Sequence, residues 1–288
     1  MFDAIAHAVP NQTLQMHGLT LTVKRLDLVH PQISGNKFFK LKYNFKEAQR
    51  NGFNQILTFG GAYSNHIAAT AYASHLHGFK SIGVIRGEEL ACRPLNSTLS
   101  TAQQFGMQLH FVSRELYRKK QSAGFLAQLK AEFPKSFIIP EGGTNRLAIQ
   151  GCTEILSAAD LENFDMICCA AGTGGTLAGL IEASAAHQHI LGFSALKGDF
   201  LSQEIQQWTQ RRNWRITDEF CHGGYAKTTA ELMQFIQQFE RLHGIPLEQV
   251  YTAKMFFGIK QMILRGEIAA HQRVLILHTG GLQGRIQA

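Results

Sequence analysis

The stretch at 166–180, MICCAAGTGGTLAGL, constrains this chain more than any other. A short apolar run enters a glycine turn and leaves it as small residues at helical spacing. Strand, tight turn and helix start, in that order, aim bare backbone N–H groups at whatever occupies the turn. The first four amides of a helix lack partners within it, and the helix dipole favours negative charge there. A phosphate is the natural guest. What the phosphate is attached to has to be read from other parts of the chain.

The same alternation recurs from end to end. Apolar runs at 55–59, 81–85, 109–112, 137–139, 166–169, 190–194 and 274–277 predict strands, and 19–23 alternates like one. Helix-length patterns lie at 64–77, 95–105, 123–133, 147–158, 176–186, 226–243 and 252–265. A further helix is expected from the Ser34-Gly35-Asn36 turn to about residue 51, with Phe38, Leu41 and Phe45 at helical spacing. Strands alternating with helices through short turns imply an α/β fold, its mostly parallel sheets covered on both faces. No repeat or long linker appears, so any division into domains is discontinuous or tightly packed. Three strand ends carry glycine turns, at 60–65, 172–176 and 279–281. Ligands of open α/β sheets bind beyond the carboxyl ends of strands, so the three turns point to one crevice.

At 288 residues the chain can bury a full core, as one large or two modest domains. Hydrophobic residues make up 45% and charged residues 17%, the balance of a globular chain. No apolar run reaches the roughly 18 residues of a membrane span. The opening MFDAIAHAVPNQTL has no basic segment followed by an apolar one, so no signal peptide is expected and the expected location is the cytoplasm. Cys92, Cys152, Cys168, Cys169 and Cys221 include no C-x-x-C and read as reduced thiols. The 13 histidines include no H-E-x-x-H, and no metal is expected. A net charge of +7 would suit nucleic acid, but the 28 Lys and Arg are scattered. Their densest group, Arg114, Arg118, Lys119 and Lys120, reads as one solvated segment, so neither nucleic acid nor membrane is expected as a partner.

A dinucleotide site asks for G-x-G-x-x-G and an acidic residue about 20 positions further on. Here Leu177 stands where the third glycine belongs, and the next strand, 190–194, ends without Asp or Glu. The G-K-[ST] of a P-loop is absent as well. Both nucleotide readings fall. Lys37, directly after the Ser-Gly-Asn turn, can be presented to the crevice floor, yet by itself it reads as an ordinary surface lysine.

The whole set changes that reading. In order, SGNKFFKLKYN, LTFGGAYSNHIAATA, EGGTN, AAGTGGTLAGL, VYTAK and LHTGG resemble the pyridoxal-phosphate enzymes of the tryptophan synthase β-like fold, fold type II. Within them the chain is similar to the 1-aminocyclopropane-1-carboxylate deaminase/D-cysteine desulfhydrase family. The resemblance runs from about Lys24 to Gln283, and GNK-x-x-K-L together with GG-x-x-SN is its specific part. It implies two three-layer domains with mostly parallel twisted sheets. Residues 1–45 with 150–288 would form the large cofactor-binding domain, and 46–149 the small domain closing over the cleft. It also implies a homodimer.

By the same resemblance Lys37 carries pyridoxal 5'-phosphate covalently and moves the proton at the substrate α-carbon. An amine whose charge is suppressed in a partly dry pocket suits both tasks. Lys40 would face the phosphate, which Gly172, Thr173, Gly174, Gly175 and Thr176 would cradle with amides and hydroxyls. Asn65 would lie near the phenolic oxygen of the cofactor. Ser64, at a helix N-cap, would hold the substrate carboxylate. His66 is expected to line the pocket. Tyr251 would lie against the cofactor ring and Tyr225 would reach the substrate. Thr279 would meet the ring nitrogen. The deaminase branch carries an acid at the position of Thr252 and an apolar residue at that of Thr279, so the two threonines favour the desulfhydrase branch. Phe39 and Tyr63 depart from the usual arginine and glutamine.

The implied function is α,β-elimination on a small D-amino acid such as D-cysteine, giving pyruvate, ammonia and sulfide. A 1-aminocyclopropane-1-carboxylate deaminase, a D-serine dehydratase and a racemase-like activity would share most of these residues. A non-catalytic phosphometabolite-binding protein of the same fold is the alternative from another class, and a basic nucleic-acid binder is a third.

Overall fold

The computed structural model describes residues 1–285. Its strands are β1 (Asn11–Met16), β2 (Leu19–Lys24), β3 (Gln55–Gly60), β4 (Lys80–Arg86), β5 (Met107–Val112), β6 (Ser136–Ile139), β7 (Met166–Ala171), β8 (His189–Ser194), β9 (Trp214–Thr217) and β10 (Val274–Leu277). The first helices are α1 (Asn36–Arg50), α2 (Asn65–Leu76), α3 (Ser97–Gln104), α4 (Arg114–Arg118), α5 (Ala123–Glu132) and α6 (Arg146–Thr153). They are followed by α7 (Ala158–Asn163), α8 (Gly175–Ala183), α9 (Phe200–Gln206), α10 (Ala230–His243) and α11 (Thr252–Leu264).

Two sheets result. The larger runs β1-β2-β10-β7-β8-β9, with β1 antiparallel to β2 and every other pair parallel. The smaller, β5-β4-β3-β6, is parallel throughout. Helices cover both faces, which is why β7 and β10 are buried at every residue and read as unbroken apolar runs. One core lies under α10 and α11 and includes Phe235, Phe239 and Phe256. Another lies on the opposite face of the large sheet, where Leu177, Leu180 and Ile181 of α8 pack on Ile167, Ile190 and Leu275.

Helix α1 connects the sheets. Its buried Phe38, Leu41, Phe45 and Ala48 form one apolar stripe that packs with Ile56, Ala69, Ala73 and Ile139 of the smaller sheet's layers. On another side it meets α6 backbone to backbone, since a Cβ on Gly151 would stand 2.0 Å from the Phe39 carbonyl oxygen. Gly179 of α8 approaches Cys152 and the Ile149 carbonyl of α6 in the same way. Three helices are thereby locked at distances only glycine allows. Helix α1 runs unbroken through positions 45 and 46, where a domain boundary was expected. Residues 286–288 of the expected large domain lie outside the described residues.

Several expected bounds shift. The helix read at 147–158 is two: α6 ends at Thr153, and Ser157 starts α7 with a capping box to Asp160. The helix read at 226–243 begins at Ala230, capped by Thr229, because Ala226 takes a left-handed φ of 56°. Strands β1 and β9 and helices α4 and α9 have no counterpart among the expected elements.

Candidate active site

Six strands, β3, β4, β6, β7, β8 and β10, run out into the lining of one cavity of about 780 Å³. The three glycine turns picked out in the sequence all lie on its wall. So do Lys37, Lys40, Ser64, Asn65, Gly172, Thr173, Gly174, Thr176, Tyr225, Tyr251 and Thr279. Gly175 does not reach the wall. It packs just behind, where a Cβ would stand 2.8 Å from Thr144 Oγ1 and 3.1 Å from Lys40 Cε.

The glycine loop is built for an anion. Gly174 holds φ +77° as the N-cap of α8, and no side chain caps that helix. The amides of Gly175, Thr176 and Leu177 are the first of α8 and have no helical acceptor. Lys40 is 2% exposed, and its Nζ donates to Gly142 O at 2.5 Å and Thr144 Oγ1 at 3.0 Å and lies 3.3 Å from Thr173 Oγ1. Among the described residues no carboxylate pairs with it. Burial and then the neighbouring Lys37 charge bring its ammonium down to about 7.

Lys37 sits at the start of α1. Its Nζ donates to Asn36 Oδ1 at 2.8 Å, and Asn36 Nδ2 donates to Thr176 Oγ1 at 2.8 Å. One amide thus ties the lysine to the glycine loop. Burial pushes the Lys37 ammonium down to about 8, against a smaller opposing pull from Cys152, Glu248 and Cys169. A close backbone contact sets where α1 starts: Gly35, at φ +68°, would place a Cβ 1.9 Å from the Thr279 carbonyl oxygen, which also accepts from Asn36 N at 3.2 Å. The loop carrying Thr279 is held from below, as His278 Nε2 lies 2.6 Å from Pro246 O and Nδ1 lies 3.2 Å from Asp27, itself in a two-bond pair with Arg25. The Thr279 hydroxyl makes no hydrogen bond among the described residues and is left for a ligand.

Ser64 caps α2, accepting from Ile67 N at 3.3 Å. Asn65 is fixed by Gln283, which donates to its Oδ1. His66 is wholly buried, and its tautomer follows from its neighbours. Thr58 spends its one proton on Ile139 O at 2.9 Å, so it accepts from His66 Nε2–H at 2.7 Å. Nδ1 is therefore a bare acceptor, and it has no partner among the described residues. Burial, then Lys37 and Lys40, hold this imidazole well below its ordinary pKa. Tyr251 and Tyr225 meet edge to face at 6.1 Å between centroids, and Tyr251 lies against the glycine loop, 2.9 Å from where a Gly172 Cβ would stand.

Three wall residues escaped sequence reasoning. Glu248 reaches the wall with its carboxylate accepting from the amides of Val250, Tyr251 and Thr252 at 2.6–2.7 Å, while Thr252 itself is buried off the wall. Glu141 accepts from Tyr117 and pairs with Lys120, so Lys120 is not part of a plain solvated segment. Arg86 ends β4. The sequence signal for Arg86 and Glu141 is their place at the carboxyl ends of strands β4 and β6.

A glycine loop with free amides at a strand's end, beside two lysines that form no ion pair among the described residues, is an arrangement suited to an anionic cofactor, and comparison supplies the class. A model of the pyridoxal-phosphate dependent enzyme family matches residues 8–280, and the chain belongs to that family. It is 32% identical over 293 residues to the Thermotoga maritima protein named "Putative 1-aminocyclopropane-1-carboxylate deaminase", covering 94% of this chain and 91% of that one. It is 29% identical to the mitochondrial bifunctional D-cysteine desulfhydrase/1-aminocyclopropane-1-carboxylate deaminase of Arabidopsis thaliana, covering 93% of this chain and 74% of that one. A crystal structure of a deaminase homologue superposes with a TM-score of 0.82 at 27% identity, over 97% of this chain and 91% of that chain. The fold is the tryptophan synthase β-like α/β fold, and the cofactor is pyridoxal phosphate.

The residues present fit that cofactor. Free amides at α8 and the depressed Lys40 suit a phosphate, whose charge would restore the lysine's own. Lys37 offers an amine lowered to about 8 and tied through Asn36 to the same loop, and the Thr279 hydroxyl, unused among the described residues, leaves a polar position on the wall.

Proposed function

We propose that this chain is a lyase that removes the β-substituent of a small D-amino acid such as D-cysteine, which with one water gives pyruvate, ammonia and sulfide. The observation that carries the reading is the placement of Lys37 and Lys40 on one cavity wall beside the glycine loop. Lys37 is tied to Thr176 through Asn36, Lys40 Nζ lies 3.3 Å from Thr173 Oγ1, and neither lysine forms an ion pair among the described residues. Gly172, Thr173, Gly174, Gly175, Thr176 and Lys40 hold the phosphate. When bound, pyridoxal phosphate supplies a conjugated ring that takes up the electron pair released at the substrate α-carbon. Lys37 carries the cofactor and accepts the α-proton, for which an amine of pKa about 8 is suited. Ser64 and the first amides of α2 bind the substrate carboxylate, Tyr225 reaches the substrate, and Tyr251 and Asn65 orient the ring. Thr279 would offer a neutral hydroxyl to the ring nitrogen, which would suit loss of a good leaving group from Cβ. His66, neutral and fixed in one tautomer by Thr58, lines the site.

Threonines at 252 and 279 favour D-cysteine over 1-aminocyclopropane-1-carboxylate, and both belong in the first assay because relatives are named for both. The same reading takes residues 1–45 with 150–288 as the large domain and 46–149 as the small one. All four strands of the smaller sheet fall in 46–149, which supports it. A homodimer in the cytoplasm completes it; no described helix is long and apolar enough to cross a membrane.

The test is a visible spectrum of the holoprotein before and after borohydride, beside Lys37→Ala. A yellow band that reduction fixes to the wild-type chain, and that the variant lacks, is the expected result. A band fixed equally in the variant would remove Lys37 from its role.

A further inference from the structure

Among the charged groups on the cavity wall, Arg86 has no task in the reaction above. Lys37 and Lys40 belong to the cofactor, Glu248 is satisfied by three amides, and Glu141 by Tyr117 at 2.7 Å and Lys120 at 3.2 Å. The Arg86 side chain, exposed at the end of β4, makes no hydrogen bond and no ion pair among the described residues. Its guanidinium carbon lies 5.9 Å from the centroid of the Tyr117 ring, and Nη2 lies 3.4 Å from where a Cβ on Gly61 would stand. The guanidinium thus stands over an aromatic ring, and the N–H groups along its edges have no protein acceptor among the described residues. Such an edge matches the paired oxygens of a carboxylate, phosphate or sulfonate. Gly61 belongs to the turn that leads to Ser64, so Arg86 lines the cavity next to the turn that carries the proposed carboxylate site.

We propose that Arg86 is a second anion subsite, and that the enzyme takes amino acids whose β-substituent carries a negative charge. This rests on the reading of the cavity as an amino-acid lyase site. For a phosphate ester the α-hydrogen leaves as a proton and the phosphate departs with the electron pair of its Cβ–O bond. One water then releases the nitrogen, so that substrate and water give pyruvate, ammonia and phosphate.

The isosteric pair aspartate and asparagine isolates the charge. Calorimetric titration of the holoenzyme with each, as D and as L forms, is expected to show aspartate bound about tenfold or more tightly in one enantiomeric series. Arg86→Gln should bring that ratio near one, and Arg86→Lys should keep part of it. Equal affinities in the wild type, or equal losses for both ligands in Arg86→Gln, would overturn the proposal; the second result would put Arg86 on the α-carboxylate. Pyruvate release from O-phospho-D-serine and β-chloro-D-alanine separates the two readings. An intact binding preference without pyruvate from either leaves the subsite standing and removes the lyase, whereas pyruvate without a preference does the reverse.

Discussion

Lys40 shows how one buried cation leaves a trace in stability. Its folded pKa, about 7, lies below the value near 10.5 that the unfolded chain restores. Between pH 7 and 9 the unfolded cofactor-free chain therefore binds a proton that the folded one lacks, and stability rises with pH. The slope from this group is at most about 1.4 kcal/mol per pH unit. Lys37 adds a term of the same sign from about pH 8, and above pH 9 Cys152, which burial pushes up to about 11, opposes both. Urea midpoints at pH 7, 8 and 9 should climb in the wild type and climb less in Lys40→Met. Identical slopes would mean that Lys40 keeps its charge in the apoprotein. Cofactor should flatten the wild-type slope, because a phosphate beside Lys40 lets it stay protonated.

At the level of elements, the decisive joint is where α1 begins. A methyl on Gly35 would meet only backbone, with Thr279 O at 1.9 Å and Gly280 Cα at 2.8 Å, so no side chain can give way. Gly35→Ala should cost about 2–3 kcal/mol and weaken cofactor binding at least tenfold. Gly18→Ala, at φ +83° in open space, should cost only its backbone strain and leave binding alone. Denaturation midpoints and cofactor titrations of the two variants check this, and a Gly35→Ala chain that binds like wild type would refute the joint. The Ser-Gly-Asn-Lys turn was legible because glycine and asparagine mark such turns, and β10 was legible to the residue because its run is wholly buried. Strand β1 escaped because only Leu14 and Met16 of NQTLQM are buried, at the sheet's edge, where alternation is diluted by polar residues. Strand β9 is short and lies at the other edge. Arg86 escaped for another reason: nothing local distinguishes a wall arginine from a surface one, and only the meeting of two sheets puts it on the wall.

For the molecule as a whole, the cavity takes parts from residues 36 to 284, so filling it ties together segments that the chain keeps far apart. Cofactor at a hundred times its dissociation constant should add about 2.7 kcal/mol of stability and raise the thermal midpoint by roughly 5–10 °C. Lys37→Ala should gain less at the same concentration. Calorimetric scans with and without cofactor decide it, and an unmoved midpoint would show that the apoprotein gains nothing from its ligand. The glycine contacts that lock α1, α6 and α8 bear on a different enterprise, the making of new catalysts from this scaffold. Gly35, Gly151 and Gly179 admit no variation without shifting backbone, so a mutant library that touches them will be spent on broken chains. Ala62, Tyr63, Arg86 and Tyr225 line the same cavity without such contacts, and a search for altered substrates should be confined to them.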